Sequence, residues 1–321
     1  MRDQNIQTIV NLIADYRRGE IAQPTHQHVE NWIRQFPDQQ DEILAELAHV
    51  LGQTYLNEAN LRNIVGHFVT DAAIVGASPR DFWLSAHLMD AQGGGTSQRH
   101  MVGLVREAIA ANFGALPEPA VPQTYIYLDD ISYSGSRVRQ DIVRWVNGAA
   151  PDGARLLVFT IGTHRYGHWS VSRKITEAID TSGKSIRFQW PAYFMFEDRA
   201  YQTDSSDVLR PTETVDAAVA VYVAQLSRPV IWRNGTNSGP FGVFSSNAGR
   251  SVLEQGFLRA GLEVRRLCPN LPPPHRPLGF TNLEMLGFGS TIVTYRNCPN
   301  NAPLALWAAY PWYPLFPRRN N

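Results

Sequence analysis

The stretch Tyr125-Ile126-Tyr127-Leu128-Asp129-Asp130-Ile131-Ser132-Tyr133-Ser134-Gly135-Ser136-Arg137 constrains the fold more than any other part of the chain. Its opening residues are aromatic, β-branched or aliphatic and predict a strand over Thr124–Leu128. Two acids end that strand, and a turn rich in hydroxyls and glycine follows. Val138, Ile142, Val143 and Val146 then share one face of a helix from about Ser136 to Val146. Leu156–Ile161 comes next as an unbroken apolar run, the pattern of a parallel strand buried on both faces. Upstream, Phe82–Met89 is a short apolar run and Gly93-Gly94-Gly95-Thr96-Ser97 a glycine cluster. Met101, Leu104, Val105 and Ile109 mark a helix that ends near Gly114. Strand, loop and helix alternating in this way predict an α/β fold, a parallel sheet flanked by helices with right-handed crossovers.

The first seventy-five residues carry helical spacing throughout, in Ile6–Tyr16, Val29–Ile33, Ile43–Leu51 and Leu61–Val69, with Thr25 or His26 opening the second helix. They are expected to form a helical N-terminal module, residues 1–77, ahead of a larger domain at 78–321 with irregular C-terminal elaborations. In that C-terminal part, Ser185–Trp190 and Tyr193–Phe196 read as strands, Thr214–Gln225 and Ser251–Leu262 as helices, and Glu263–Leu267 and Thr291–Tyr295 as late strands. Pro269–Pro277 reads as a rigid loop, and the aromatic and basic tail from Trp307 as a segment packed on the core.

Composition narrows the class. Twenty-nine basic residues balance 29 acidic ones, which excludes a surface that is basic throughout, and 44% hydrophobic content argues against disorder. Cys268 and Cys298 lack the spacing of a zinc site and are expected to be ordinary thiols of a reducing compartment. Acidic residues interrupt the apolar positions of the N-terminus, so it does not read as a signal peptide, and no apolar run reaches the length of a membrane span. The expectation is a cytoplasmic protein without membrane contact.

The chemistry concentrates where the strand meets the helix. Ligands of open α/β sheets bind outside the carboxyl ends of the strands, and a helix N-terminus offers outward backbone N–H groups to an anion. Ser134, Gly135 and Ser136 occupy that place, with Gly135 expected to admit a phosphate closely for want of a Cβ. Asp129 and Asp130 would repel a phosphate; they suit the vicinal hydroxyls of a sugar or a hydrated Mg²⁺. Acids for a ribose beside amides for its 5-phosphate describe a ribose-5-phosphate binder.

This segment resembles the motif of type I phosphoribosyltransferases that binds 5-phosphoribosyl 1-diphosphate (PRPP). Asp129-Asp130 match the acidic pair and Ser134-Gly135 the start of the phosphate loop, while Arg137 takes the place of the closing hydroxyl residue, with Ser136 one position early. Downstream, Gly287-Phe288-Gly289 and Asn297-Cys298-Pro299-Asn300-Asn301-Ala302-Pro303, followed by Trp307, resemble the closing signature of the PRTase-CE family. Glu254, Phe257, Leu258 and Gly261 resemble that family's Glu–Phe-Leu–Gly helix. The resemblance spans residues 78 to 310 or so and implies a phosphoribosyltransferase-type sheet. It also implies an effector role in prokaryotic conflict systems, including antiphage and retron-type reverse-transcriptase loci.

The resemblance implies roles for particular residues. Asp129 and Asp130 would hold the ribose diol directly or through Mg²⁺, and Ser132, Ser134, Gly135, Ser136 and Arg137 would cradle the 5-phosphate. Gly94, Gly95, Thr96 and Arg99 would meet the diphosphate. By position and chemistry, His164 and Arg165 follow the next parallel strand and open on the same sheet edge, His164 as an expected general acid or base and Arg165 as a phosphate contact. Asn297, Asn300 and Asn301 are expected to tie down turns. Only Phe113–Gln123, rich in Pro and Ala, stands where ordinary type I enzymes carry a closing hairpin. Three functions therefore stay open: a PRPP-dependent transferase, a non-catalytic ribose-phosphate sensor, and a structural subunit contacting a reverse transcriptase or its nucleic acid.

Overall fold

In the computed structural model, which describes residues 1–91, 96–283 and 285–318, the chain packs as two units. One is continuous, Ala59–Phe196, and the other joins Met1–Glu58 to Glu197–Asn321. The first helices thus share a core with the C-terminal segments, across the boundary expected between residues 77 and 78. They are α1 (Arg2–Leu12), α2 (His26–Ile33) and α3 (Gln40–Thr54), followed by the short strand β1 (Tyr55–Leu56). Thr25 caps α2 by accepting the His28 N–H at 3.2 Å. Ile43, Leu44, Leu47, Val50 and Leu51 of α3 are buried, as their spacing predicts.

The continuous unit opens with α4 (Glu58–Thr70), α5 (Ala72–Val75) and α6 (Pro79–Leu84). The apolar run Phe82–Met89 divides at Ser85: its front belongs to α6, which Pro79 starts, and its rear is strand β2 (Ala86–Leu88). Then follow α7 (Thr96–Phe113), β3 (Thr124–Ser132), α8 (Ser136–Asn147), β4 (Arg155–His164) and α9 (Arg165–Ser182). The last strands are β5 (Arg187–Gln189) and β6 (Ala192–Phe196). The order across the sheet is β2-β3-β4, with β5 and β6 both along the far side of β4, and every pair is parallel.

Gln189 lies opposite Leu157 and Ala192 opposite Thr160, so β5 and β6 are two pieces of one edge strand, parted where Pro191 lacks an N–H. Val138, Ile142 and Val146 of α8 and Val171, Ile175 and Ile179 of α9 bury against Tyr127, Leu156 and Val158 on one face. On the other face, Phe68 of α4 stacks on Phe159 with centroids 3.7 Å apart. The expected parallel sheet flanked by helices is therefore the architecture of this unit.

The remaining elements belong to the discontinuous unit: β7 (Ser205–Ser206), α10 (Ala217–Ala224), β8 (Asn237–Ser238), α11 (Asn247–Leu267), β9 (His275–Arg276), β10 (Gly279–Phe280), β11 (Val293–Thr294) and α12 (Leu304–Trp307). Two sequence expectations are corrected. The helix expected at Ser251–Leu262 and the strand expected at Glu263–Leu267 form one helix, α11, because buried Val264 continues the helical spacing of Phe257, Leu258 and Gly261. Gly261 stays inside that helix because the Pro277 backbone occupies the space a Cβ would take. Of the strand expected at Thr291–Tyr295, only Val293–Thr294 pairs, in parallel with β1.

Glu254 is a buried hub of this unit. Its carboxylate accepts from the Arg210 N–H at 2.9 Å, Arg250 Nε at 2.8 Å and Arg233 Nη2 at 2.8 Å. Asn301 Nδ2 donates to the Phe280 carbonyl at 3.0 Å, and Trp307 Nε1 to the Ala302 carbonyl at 2.8 Å. The tail packs inward as expected: Trp312 Nε1 donates to the Ala305 carbonyl at 3.0 Å, and Leu315 and Phe316 are buried. Both cysteines are free thiols.

Candidate functional site

The carboxyl ends of β3 and β4 bring together most of the residues singled out above. Asp129 and Asp130 lie near the end of β3, and Tyr133 and Ser134 lead through Gly135 into α8. β4 ends beside them, with Thr163 opposite Ser132, and α9 starts at Arg165. The first N–H groups of α8 have no acceptor within the helix and point out of its N-terminus. Ser134 Oγ lies 3.1 Å from Ser136 Oγ on the same turn. Ser134 and Arg137 are exposed, and Ser136 is half-buried.

Asp129 is buried, and its Oδ1 accepts from Ser97 Oγ at 3.1 Å and from the Asp130 N–H at 3.0 Å. Burial first, and the neighbouring Asp130 charge second, push the Asp129 carboxyl far above the usual carboxylate range. Asp130 is less buried, and its own Oδ1 accepts the Ile131 N–H at 2.8 Å. Two adjacent carboxyl groups at the carboxyl end of the strand offer oxygens to a diol. Among the described residues no cluster of three or more metal-ligating side chains occurs. Two carboxylates fit a Mg²⁺ that takes its other oxygens from water and from a ligand's phosphates, since Mg²⁺ is seldom caged by protein alone.

Gly135 has a structural cause beside the one the sequence suggests. Its φ is +68°, and a Cβ on it would lie 2.7 Å from Val171 Cγ2 of α9. The missing side chain therefore makes room for α9 and for the left-handed turn, on the side of the packed helix.

His164 is buried, with its ring between Tyr133 and Phe196 at centroid distances of 5.3 and 5.5 Å. Its Nδ1 lies 3.4 Å from the Ser132 carbonyl. Burial pulls its pKa down to about 3. Arg165 is half-buried on the first turn of α9, and Arg99 is exposed on the first turn of α7. Thr96 is the first residue of α7, while Gly93, Gly94 and Gly95 lie outside the described residues.

Two contributions escaped the sequence reading. Ser97, within the glycine cluster's segment, donates its hydroxyl to Asp129 Oδ1. Thr163 is the other: its Oγ1 and that of its register partner, Ser132 Oγ, are buried hydroxyls without a hydrogen-bond partner. The period of two puts Asp130 on the same face as Ser132. Unpaired buried hydroxyls cost on the order of 1–3 kcal/mol each, so this pair is a place for a polar atom of a ligand or a water. The available signal was strand register, which two apolar runs alone do not define.

No hairpin closes over these residues from the α7–β3 connection, because residues 114–123 carry neither helix nor strand. A family model described as PRTase-CE matches residues 29–318, reaching well into the N-terminal helices that the motifs had left unexplained. No curated protein and no solved structure matches the chain.

Proposed function

The chain belongs to the PRTase-CE family, and from that premise we propose that its parallel-sheet unit binds PRPP or a related phosphoribosyl ligand at the ends of β3 and β4. The observation that carries the reading is the acidic pair Asp129–Asp130, set one short turn before the N-terminus of α8. Asp129 and Asp130 would take the two ribose hydroxyls, directly or through Mg²⁺. The amides of Ser136 and Arg137, with the hydroxyls of Ser134 and Ser136, would take the 5-phosphate. Arg99 and Arg165 would face the diphosphate. Mg²⁺, when bound with PRPP, supplies charge neutralisation for the departing diphosphate, and Asp129 and Asp130 are the residues that would hold it.

In a transfer reaction the C1–oxygen bond to diphosphate breaks with its electron pair on the leaving group, and an acceptor lone pair forms the new bond to C1. The biological setting we propose is a cytoplasmic effector of a prokaryotic defence system. There it would act with a co-encoded protein such as a reverse transcriptase and its nucleic acid. A sensor that binds without turnover is the second reading, favoured by the short 114–123 connection, since transferases exclude water with a lid.

Calorimetric titration of PRPP with Mg²⁺, and of ribose 5-phosphate as control, tests the proposal. Asp129→Asn with Asp130→Asn should abolish both titrations while Tm moves by no more than a few degrees, because Asn is nearly isosteric with Asp. Retained binding overturns the assignment. Arg99→Ala separates the two readings: it should weaken PRPP but spare ribose 5-phosphate if the diphosphate subsite is used.

A further inference from the structure

The outward face of α9 is not explained by its fold. Gly167, Val171, Ile175 and Ile179 turn that helix toward the core, and the opposite stripe of an ordinary surface helix carries polar residues. Here it carries Tyr166, 44% exposed, and Trp169, 54% exposed. Their ring centroids are 6.1 Å apart, and the Arg173 guanidinium lies 5.2 Å over the Trp169 ring. The stripe begins at the rim of the candidate site, since Tyr166 is the second residue of α9 and Gly167 packs beneath the backbone of Tyr133 and Ser134.

From these features we infer that the outer face of α9 is a binding surface for single-stranded nucleic acid. Aromatic faces stack bases of any sequence, and guanidinium groups meet the phosphates between them. The charge balance fits a polyanion. α8 and α9 carry Arg137, Arg139, Arg144, Arg165, Arg173 and Lys174 against only Asp141, Glu177 and Asp180. Asp141 is buried, accepts from Tyr127 Oη at 3.0 Å and pairs with Arg144 at 3.7 Å, and Glu177 pairs with Lys174 at 2.7 Å and Arg173 at 3.8 Å; each acid offsets one cation, and the two helices keep a positive excess. Exposed Arg139 adds a cation on the first turn of the neighbouring α8. The inference is independent of whether the neighbouring crevice takes PRPP.

Anisotropy of a fluorescein-labelled oligo-dT strand of about 20 nucleotides, titrated with the full chain at about 50 mM salt, tests it. The expected result is saturable binding that weakens steeply with salt and is weaker for a matched duplex. Tyr166→Ala with Trp169→Ala should weaken binding at least about tenfold, the scale of one lost base stack or more. Arg173→Ala should reduce the salt dependence. PRPP titrations of the same variants serve as the control and should be unchanged, so loss of strand binding is read separately from loss of the phosphoribosyl site. Because these side chains are exposed, Tm should stay at the parent value. A parent protein that does not bind the strand overturns the inference, as does a double aromatic variant that binds like the parent. Equal affinity for duplex and single strand overturns the stacking argument.

Discussion

Replacing Gly135 by alanine separates the two explanations for the glycine in the phosphate-type loop. At φ +68° an L-residue is strained by about 1–2 kcal/mol. The new methyl would also sit 2.7 Å from Val171 Cγ2, and overpacking of this kind costs about 1–3 kcal/mol. Gly135→Ala should therefore destabilise the protein by about 2–5 kcal/mol, the sum of those two effects. Val171→Ala alone removes two methyl groups from a buried position, which costs about 2 kcal/mol with its cavity. In the double variant the collision is gone, so the two losses should fall short of their sum by about 1–3 kcal/mol. Urea denaturation of the four proteins measures this cycle. The reasoning fails if the cycle is additive within about 0.5 kcal/mol. It fails equally if Gly135→Ala leaves stability intact while abolishing PRPP binding, because the glycine would then serve the ligand.

Other expectations follow from the same geometry. The folded Asp129 carboxyl titrates above its unfolded value, so its contribution to stability is complete below the ordinary carboxylate range and is lost as pH rises through the raised folded value. Asp129→Asn should abolish that loss, and Tm of the two proteins measured across pH should converge in acid and diverge in base; parallel profiles would refute it. Glu254→Ala leaves Arg233 and Arg250 buried beside an empty hub and should cost about 3–5 kcal/mol, read as a shifted denaturation midpoint, with Glu254→Gln intermediate. Thr163→Val removes an unpaired buried hydroxyl. It should leave the ligand-free protein as stable as the parent or up to about 1 kcal/mol more stable, while a weaker PRPP titration would mark the hydroxyl as a ligand contact.

What could be read before the structure was whatever local pattern dictates. The apolar run Leu156–Ile161 lies wholly inside β4, and Thr124–Leu128 inside β3, because a strand buried on both faces leaves an uninterrupted signature. Asp129, Asp130 and the Ser134–Arg137 turn followed at once, since a strand's carboxyl end and the next helix's N-terminus are neighbours in sequence. Non-local facts were not legible. The pairing of Ser132 with Thr163 depends on register across two strands, and the role of Gly135 depends on Val171, a residue of the following helix. Glu263–Leu267 read as a strand because Gly261 resembles a helix stop. Only the approach of Pro277 shows why a glycine is needed mid-helix. In the closing signature Asn301 does hold a backbone carbonyl, as its type suggests, and Trp307 holds another, but which carbonyls they reach is set by the fold of the discontinuous unit.

That discontinuity has a consequence for how the protein is made. Helices α1 to α3 leave the ribosome well before their partner helix α11, which starts only at Asn247, with the whole of Ala59–Phe196 translated in between. At ordinary elongation rates the wait is on the order of ten seconds or more, far longer than helix or sheet formation requires. The apolar face of α3 that later packs Gly256 of α11 against Ile43 spends that interval uncovered. The inserted unit, by contrast, has all of its strands in hand as soon as Phe196 emerges. Nascent chains stalled before Asn247 should thus be captured by chaperones through the N-terminal helices, and those stalled beyond Phe316 should not.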